Sequence, residues 1–319
     1  MISNDVMQQF IQEALTEIEY QPVRLLTVLI KCQARFQHVP AAAIDAVAEA
    51  LKLPRSQLIA VIEFYSFLHL EPQGRYQILL SDSITDQMSG QREFAQALST
   101  RLNVVIGQVR EDGLVSLGLT SCTGLCDQGP AALINGRAIP ALTPAKIEQL
   151  VQAIEQNLPM SEWPSAWFAI EDHIHQSGPL LQQRYIAGDA LKAAWAQGLP
   201  QTLQVLEASG LRGRGGAGFK TALKWRFCAE ESAEQRYVVC NADEGEQGTF
   251  KDRVLLQQHA DRVFEGMTLC ALIIGAQQGF LYLRGEYRFL YEALQQVLER
   301  RRQQGLLGQN ILGQALVFD

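Results

Sequence analysis

The sequence predicts an α/β protein: an N-terminal helical bundle, a small α/β domain, and a second α/β domain built on a parallel sheet. Three observations predict it. Residues 2–70 place apolar side chains at helical spacing. Between residues 76 and 157, short apolar runs of strand length alternate with helical stretches. From residue 201 onward helix and strand patterns alternate again, as expected where crossover helices join parallel strands.

Each element follows from its own residues. Val6, Phe10, Ile11 and Ile18 share one helical face, as do Leu25, Val28 and Leu29. Ala43 to Leu51 continues the pattern, Leu53-Pro54-Arg55-Ser56 interrupts it, and Ser56 to Leu68 resumes it. Tyr76 to Leu80 reads as a strand and Gln91 to Leu102 as a helix. Val115 to Leu119 and Ala131 to Ile134 are short strands, the second turning at Asn135-Gly136, a hairpin signal. Thr143-Pro144 opens a helix running to Asn157, with Thr143 as cap and proline in the first turn. Proline and glycine then punctuate residues 158–200, at Leu158-Pro159, Trp163-Pro164, Gly178-Pro179 and Gly198-Leu199-Pro200, which reads as a connector. Thr202 to Ala208 is helical, and Tyr237 to Cys240 and Phe280 to Leu283 are strands. The expected domains are therefore 1–157, a connector at 158–200, and 201–319. Gly308 to Leu312 and Ala315 to Asp319 look like the beginning of a further strand, so the last domain reads as incomplete and the chain as a fragment of a longer protein.

Composition narrows the function. The chain has 319 residues, 47% hydrophobic and 19% charged, ordinary for a globular protein. A net charge of −7 argues against nucleic acid as the main partner. Met1 leads into polar residues rather than a secretory leader. Gly266 to Leu283 is an 18-residue run without charge, but Gln277-Gln278 and three glycines interrupt it. A buried helix followed by a buried strand is expected there, not a membrane span. Six scattered cysteines without extracellular context point to a reduced, cytoplasmic compartment.

The chemistry concentrates in two segments. Gly213-Arg214-Gly215-Gly216-Ala217-Gly218-Phe219 is a glycine-rich loop opening onto a helix. Glycines let backbone N–H groups approach a phosphate, and the helix N-terminus favours its charge. Asn241-Ala242-Asp243-Glu244-Gly245-Glu246 is an acidic turn leaving a strand, where Asn and carboxylate side chains can bond ribityl or ribose hydroxyls. Gly213, Gly215 and Gly218 fit the dinucleotide fingerprint G-x-G-x-x-G, but a helix precedes them where that motif requires a strand. A bare tight turn would not explain the basic residues Arg212, Arg214 and Lys224 around the loop, which suit a phosphate.

Longer motifs carry a resemblance. Leu211 to Phe219 with Lys224-Trp225, Cys240 to Glu246, Gly248-Thr249-Phe250-Lys251-Asp252-Arg253 and Arg284-Gly285-Glu286-Tyr287 closely resemble the NADH-binding flavoprotein subunit of respiratory complex I. With a ferredoxin-like domain ahead of the flavin domain, the chain resembles still more the α (diaphorase) subunit of NAD-reducing bidirectional hydrogenases. The resemblance implies a thioredoxin-like 2Fe–2S domain followed by a truncated Rossmann-like FMN- and NADH-binding domain. It implies hydride transfer between NAD(H) and FMN, then electron transfer to iron–sulfur clusters. Gly213, Arg214, Gly215, Gly216 and Lys224 would cradle FMN, joined by Asn241, Asp243 and Glu244. Phe219 and Phe227 would stack against NADH, and Glu246 would hydrogen-bond it. Lys220 and Gln247 stand where the family usually has proline, and Ala222 where glycine is common. The family's second acidic glycine loop, its asparagine pair and its four-cysteine 4Fe–4S motif would follow Asp319. The chain alone is thus expected to hold half a flavin pocket and to be inactive. Implied partners are a diaphorase small subunit and NiFe hydrogenase subunits. A formate dehydrogenase β subunit, a complex I flavoprotein fusion and a non-catalytic assembly module are the alternatives.

Residues 1–157 resemble the thioredoxin-like 2Fe–2S subunit of complex I, including Glu63-Phe64-Tyr65-Ser66-Phe67. That family binds its cluster through C-x4-C and C-x3-C. Cys122 and Cys126 supply the second pair, but Ser81 and Asp86 occupy the first. A 2Fe–2S cluster takes four thiolates, and oxygen ligands suit iron–sulfur chemistry poorly. The expectation is that no stable cluster forms. Cys32, Cys228, Cys240 and Cys270 read as small buried hydrophobes, His173 and His175 as a solvated pair rather than metal ligands, and Glu299-Arg300-Arg301-Arg302 as the exposed end of a helix.

Overall fold

Four helices open the chain because their apolar residues recur at helical spacing and proline breaks separate the later ones. In the computed structural model, which describes residues 4–65, 67–176, 178–182 and 184–319, these are α1 (Asn4–Glu17), α2 (Leu25–Phe36), α3 (Ala41–Leu51) and α4 (Arg55–Phe64). Met1, residues 2–3 of the helical reading, Ser66 of the Glu63–Phe67 stretch, and Ser177 and Gln183 of the expected connector lie outside the described residues. Ile11, Ala14 and Leu15 of α1 meet Val28, Leu29 and Cys32 of α2 in one buried core. Gln37 and Lys52 end α2 and α3 in the left-handed region, and Pro40 and Pro54 restart the next helices.

A five-stranded mixed sheet follows. Its strands are β1 (Tyr76–Ser81), β2 (Gln108–Val109), β3 (Val115–Thr120), β4 (Ala132–Ile134) and β5 (Arg137–Ile139), in the order β2-β3-β1-β4-β5. β1 and β3 run parallel, with Ser81 level with Thr120. The β4–β5 hairpin turns on Asn135 and Gly136, both at positive φ (49° and 75°), which suits a type I′ turn. Three helices accompany the sheet: α5 (Ile84–Met88), α6 (Gln91–Arg101) and α7 (Pro144–Glu155). Thr143 caps α7 by accepting the Lys146 amide at 3.1 Å. Ile78 and Leu80 of β1 pack with Leu98 of α6 and Ile147 and Leu150 of α7. Leu158, Met160 and Trp163 join this core; Trp163 stacks on Tyr76, whose hydroxyl donates to the Leu158 carbonyl at 2.6 Å. These elements and the helical bundle form one compact unit, residues 1–123 and 129–168.

Residues 124–128 and 169–319 form the second unit. Its helices are α8 (Pro179–Gln182), α9 (Asp189–Gln197), α10 (Leu199–Ala208), α11 (Thr221–Glu230), α12 (Lys251–Ile274) and α13 (Tyr291–Gln303). β6 (Tyr237–Ala242) and β7 (Gln278–Leu283) are parallel neighbours joined by α12, the expected crossover. Val238, Ala242, Leu256, Phe264, Ala271 and Ile274 make the core beneath them. No helix among the described residues is long and apolar enough to cross a membrane.

Three expectations need correction here. The uncharged run does end in a strand, but β7 is not buried: Phe280 and Tyr282 are 47% and 60% exposed. β7 pairs only with β6 among the described residues, and alternation sends every second side chain to an open face. Residues 308–319 do not continue as a strand. They make a single bridge between Gly308 and Phe318, around a 3-10 turn at Ile311–Gly313, and Asp319 bonds Gln277 and Gly279 beside β7. The Phe318 ring lies 2.5 Å from where a Cβ on Gly279 would sit, so only glycine fits there.

The third concerns Arg301, which is not exposed but fully buried. Its guanidinium donates to the Tyr185 hydroxyl at 2.9 Å and lies 3.3 Å from Asp261 and 3.4 Å from Glu265. The Glu265 carboxylate also accepts the Gly188 and Ala190 amides at 2.7 and 3.0 Å, tying the start of α9 to α12. Burial, with Glu265 alongside, pushes the Tyr185 phenol above its ordinary pKa. A buried charge needs partners of this kind.

Candidate functional site

The glycine loop is a short hairpin whose base closes and whose tip stays open. Arg212 and Lys220 bridge across it, the Gly213 amide donates to the Phe219 carbonyl at 2.9 Å, and the Thr221 amide donates to Leu211 at 3.0 Å. Gly216 (φ 117°) and Gly218 (φ 61°) hold conformations that side-chain-bearing residues adopt at a cost. A Cβ on Gly215, Gly216 or Gly218 would meet nothing within 4 Å, so the tip faces open space. The amides of Arg214, Gly215 and Gly216 make no backbone hydrogen bond among the described residues. Arg212 is spent inside the loop, donating to the Gly218 carbonyl at 3.0 Å. Arg214 and Lys224 are exposed and ion-pair with no acid among the described residues. A cavity of about 260 Å³ opens at the loop's base, lined by Leu206, Leu211, Arg212 and Lys220. Open amides, positive φ and two available cations suit a phosphate.

Two large aromatics flank this segment. Phe219 ends the loop at 49% exposure, and Phe227 lies on α11 at 52%. Rings so exposed contribute little to the core, and a flat ligand is what they suit.

The acidic turn sits at the carboxyl end of β6, where parallel α/β sheets bind ligands. Asn241 Oδ1 accepts the Asp243 amide at 3.1 Å, and the Gly245 amide donates to the Asp243 carbonyl at 3.0 Å. The side chains of Asn241, Asp243 and Glu246 remain exposed. Glu244 is different: it is 4% exposed. Its carboxylate accepts the Asp252 amide at 3.0 Å, the Arg253 amide at 3.3 Å and the Tyr287 hydroxyl at 3.0 Å, and Lys251 Nζ at 3.3 Å. Glu244 thus caps α12 and joins it to Tyr287, whose phenol is raised above its usual pKa by burial and by Glu244. Arg284 completes the cluster, donating to the Glu244 carbonyl and pairing with Glu286 at 2.9 Å. No hydrogen bond or ion pair joins Gly213–Phe219 to Asn241–Glu246 among the described residues. The structure therefore places each half of the expected pocket without bonding one to the other.

Besides Arg301 with Glu265, sequence reasoning missed a second buried ion pair. Arg253, fully buried, donates to Asp127 Oδ2 at 2.6 Å, and Asp127 belongs to the 124–128 segment. Gln128 fixes the same segment, its Oε1 accepting the Glu171 amide at 2.9 Å. Cys126 lies there too, its Sγ accepting the Gly248 amide at 3.2 Å. Both charged residues lie beside recognisable motifs, but their separation of 126 positions leaves no local signal. His173 and His175 stack at 6.1 Å, with His173 3.5 Å from Asp127 and 3.4 Å from Glu171. No group of three or more His, Cys, Asp or Glu able to hold a metal ion occurs among the described residues. Cys32 is buried as expected, while Cys228, Cys240 and Cys270 are only partly so. Burial pushes the Cys270 thiol up to about 12, with the neighbouring Cys228 adding and Lys224 opposing.

Comparison with known proteins finds two matching domain families. Residues 11–155 match the thioredoxin-like 2Fe-2S ferredoxin family, and residues 206–316 match the Nuo51 FMN-binding domain. The two matches lie one after the other along the chain. The NAD-reducing hydrogenase HoxS subunit alpha of Cupriavidus necator is 36% identical over 304 residues, 92% of this chain and 50% of that protein. An NADH-quinone oxidoreductase subunit of Aquifex aeolicus is 42% identical over 124 residues, 39% of this chain and 29% of that protein. The crystal structure of an NAD+-reducing NiFe-hydrogenase in the air-oxidized state superposes with a TM-score of 0.78 at 41% identity, over 87% of this chain and 48% of that one. The α/β fold expected from the sequence, with its two domain types, is borne out. The chain spans about half the length of the hydrogenase relative it matches over both domains.

Proposed function

We propose that this chain is part of an NADH:acceptor oxidoreductase, the diaphorase module of an NAD-reducing hydrogenase. The observation that carries the reading is the open glycine hairpin, with the free backbone amides at its tip, leading directly into α11. The relative matching 92% of the chain supports hydrogenase over complex I, whose relatives match only the flavin-domain share. FMN, when bound, would take a hydride from NADH and release electrons one at a time. The residues here fit its phosphate end: the amides of Arg214 to Gly216, with the Arg214 and Lys224 side chains, would hold the anion in the hairpin that Gly213 closes. Asn241 and Asp243 would bond the sugar-alcohol hydroxyls, and Phe219 and Phe227 would stack against the dinucleotide, with Glu246 as its hydrogen-bonding partner. Glu244 would act through the turn it fixes.

The four-cysteine motif of a 4Fe–4S cluster is not among these 319 residues, so the acceptor clusters are assigned to other segments or chains. The proposed partners are a diaphorase small subunit and NiFe hydrogenase subunits in a cytoplasmic hetero-oligomer. The test is to purify the protein with the subunits it is made with and to measure bound flavin and NADH oxidation by an artificial acceptor. Bound FMN with NADH-dependent turnover supports the reading. Flavin-free protein without turnover overturns it.

A further inference from the structure

We propose that the thioredoxin-like domain of this chain holds no iron–sulfur cluster, and that a hydrogen-bonded Ser81–Ser83–Asp86 network occupies the place of two cluster ligands. The family matched by residues 11–155 is described as a 2Fe-2S ferredoxin, so the inference departs from the family's description. It does not depend on the flavin reading.

The sheet topology identifies the place. β1 and β3 are parallel neighbours, and Ser81, the last residue of β1, is level with Thr120, the last of β3. Cys122 follows two residues later, 1% exposed, and Ser81 and Asp86 are each 1% exposed. Two adjacent strand ends thus deliver a thiol on one side and two oxygen-bearing side chains on the other. A 2Fe–2S cluster takes four thiolates, or two thiolates and two imidazoles. Residues 11–155 contain three cysteines, Cys32, Cys122 and Cys126. Cys32 is spent in the helical core, fully buried on α2. The two histidines of the domain are engaged elsewhere: His38 is bonded to the Phe36 carbonyl at 2.8 Å, and His69 pairs with Gln77 near the start of β1, whose last residue is Ser81. At most two thiolates remain.

The oxygens are not held ready for a metal. The Ser83 amide donates to Ser81 Oγ at 3.1 Å. The Ser83 hydroxyl donates to Asp86 Oδ2 at 2.7 Å and accepts the Asp86 amide at 3.2 Å, as the N-cap of α5. A serine ligand would have to lose its proton and its place in this chain of bonds. Alkoxide and carboxylate are also hard donors in a site that needs soft ones. Asp86 Oδ1 is buried with no hydrogen-bond partner among the described residues, as is Thr123 Oγ1 beside Cys122, and Asp86 Oδ1 lies 2.5 Å from where a Cβ on Gly129 would sit. Both are oxygens, hard donors where two further thiolates are required.

The consequence is that this domain folds without metal and carries no electrons; it serves as a rigid structural piece. The experiment uses the whole chain, expressed with iron and sulfide supply, beside the Ser81→Cys/Asp86→Cys double variant. Iron, acid-labile sulfide and visible absorption are measured, and unfolding temperature is recorded with and without an iron chelator. The expected result is wild type with neither iron nor sulfide and with an unfolding temperature the chelator leaves unchanged, and a double variant that gains iron and sulfide in equal amounts. Wild type holding iron and sulfide in equal amounts would overturn the proposal. So would a double variant that folds, by its circular dichroism, yet stays empty, because Ser81 and Asp86 would then not be what excludes the cluster. Because no arm measures flavin or NADH, failure of the diaphorase reading leaves this test intact.

Discussion

Replacing Glu244 with alanine separates a residue that touches ligand from one that builds the site. In the structure its carboxylate caps α12 through the Asp252 and Arg253 amides and receives the Tyr287 hydroxyl, all in a buried setting. Loss of the cap costs about 1 kcal/mol. Leaving the buried Tyr287 hydroxyl without an acceptor costs about 1–3 kcal/mol more. The Lys251 contact adds little, because that lysine is half exposed. The expected destabilisation is about 3 kcal/mol, concentrated where α12 begins and around Tyr287. Glu244→Gln keeps the volume and one acceptor, so about half that loss is expected. Exposed Asp243, one residue earlier, gives the contrast: Asp243→Asn is expected to stay within about 0.5 kcal/mol of wild type. Denaturant unfolding gives the totals, and hydrogen exchange of the first turn of α12 locates the change, which matters in a chain of two units. If Glu244→Ala unfolds like wild type and exchange in α12 is unaltered, the capping argument is wrong.

Further outcomes follow from other sites. Arg301→Ala leaves Glu265 and Asp261 without their buried cation and is expected to cost about 3 kcal/mol or more, whereas Arg301→Met should cost less; thermal unfolding of both variants ranks them. Gly216→Val forces a β-branched residue to a φ of 117° in an open loop, so it should weaken flavin retention while leaving the unfolding midpoint nearly unchanged, as measured by flavin titration and circular dichroism. Burial holds the His69 imidazole below its ordinary pKa of 6.5, so the unfolded chain binds that proton more readily than the folded one. The stability from keeping His69 neutral is complete above about pH 6.5 and is lost as pH falls through the lower folded value. As pH falls below about 6.5, unfolding temperature should fall more steeply in wild type than in His69→Gln.

What the sequence reveals is what local spacing encodes. The bundle helices, the Asn135-Gly136 hairpin and the Thr143 cap all follow from residues within a turn or two of each other. Helix α5 carries such a signal as well, a Ser83 cap with Asp86 three residues on, but reading Ser81 and Asp86 as lost ligands hides it. α9 has one too, an alanine-rich stretch between Gly188 and Gly198. The buried charges have none. Arg301 meets Glu265 from 36 residues away and looks, in a run of arginines, like solvent-facing surface. Glu244 is legible as part of a ligand motif, while its partner Tyr287 lies 43 residues on. The glycine loop is legible as an open, glycine-dependent turn because glycine itself is the signal. Its distance from the acidic turn is set by how α11 and α12 pack, which no spacing rule gives.

The central claim is that this chain supplies half of a site where NADH reduces bound FMN. The most direct measurement is an anaerobic titration with NADH of the purified protein, together with the subunits it is made with, following the flavin absorption band. The account predicts non-covalently bound FMN whose band bleaches on adding NADH and returns on adding an acceptor, and which Gly216→Val fails to retain. A protein that carries no flavin, or whose flavin NADH does not reduce, would contradict it.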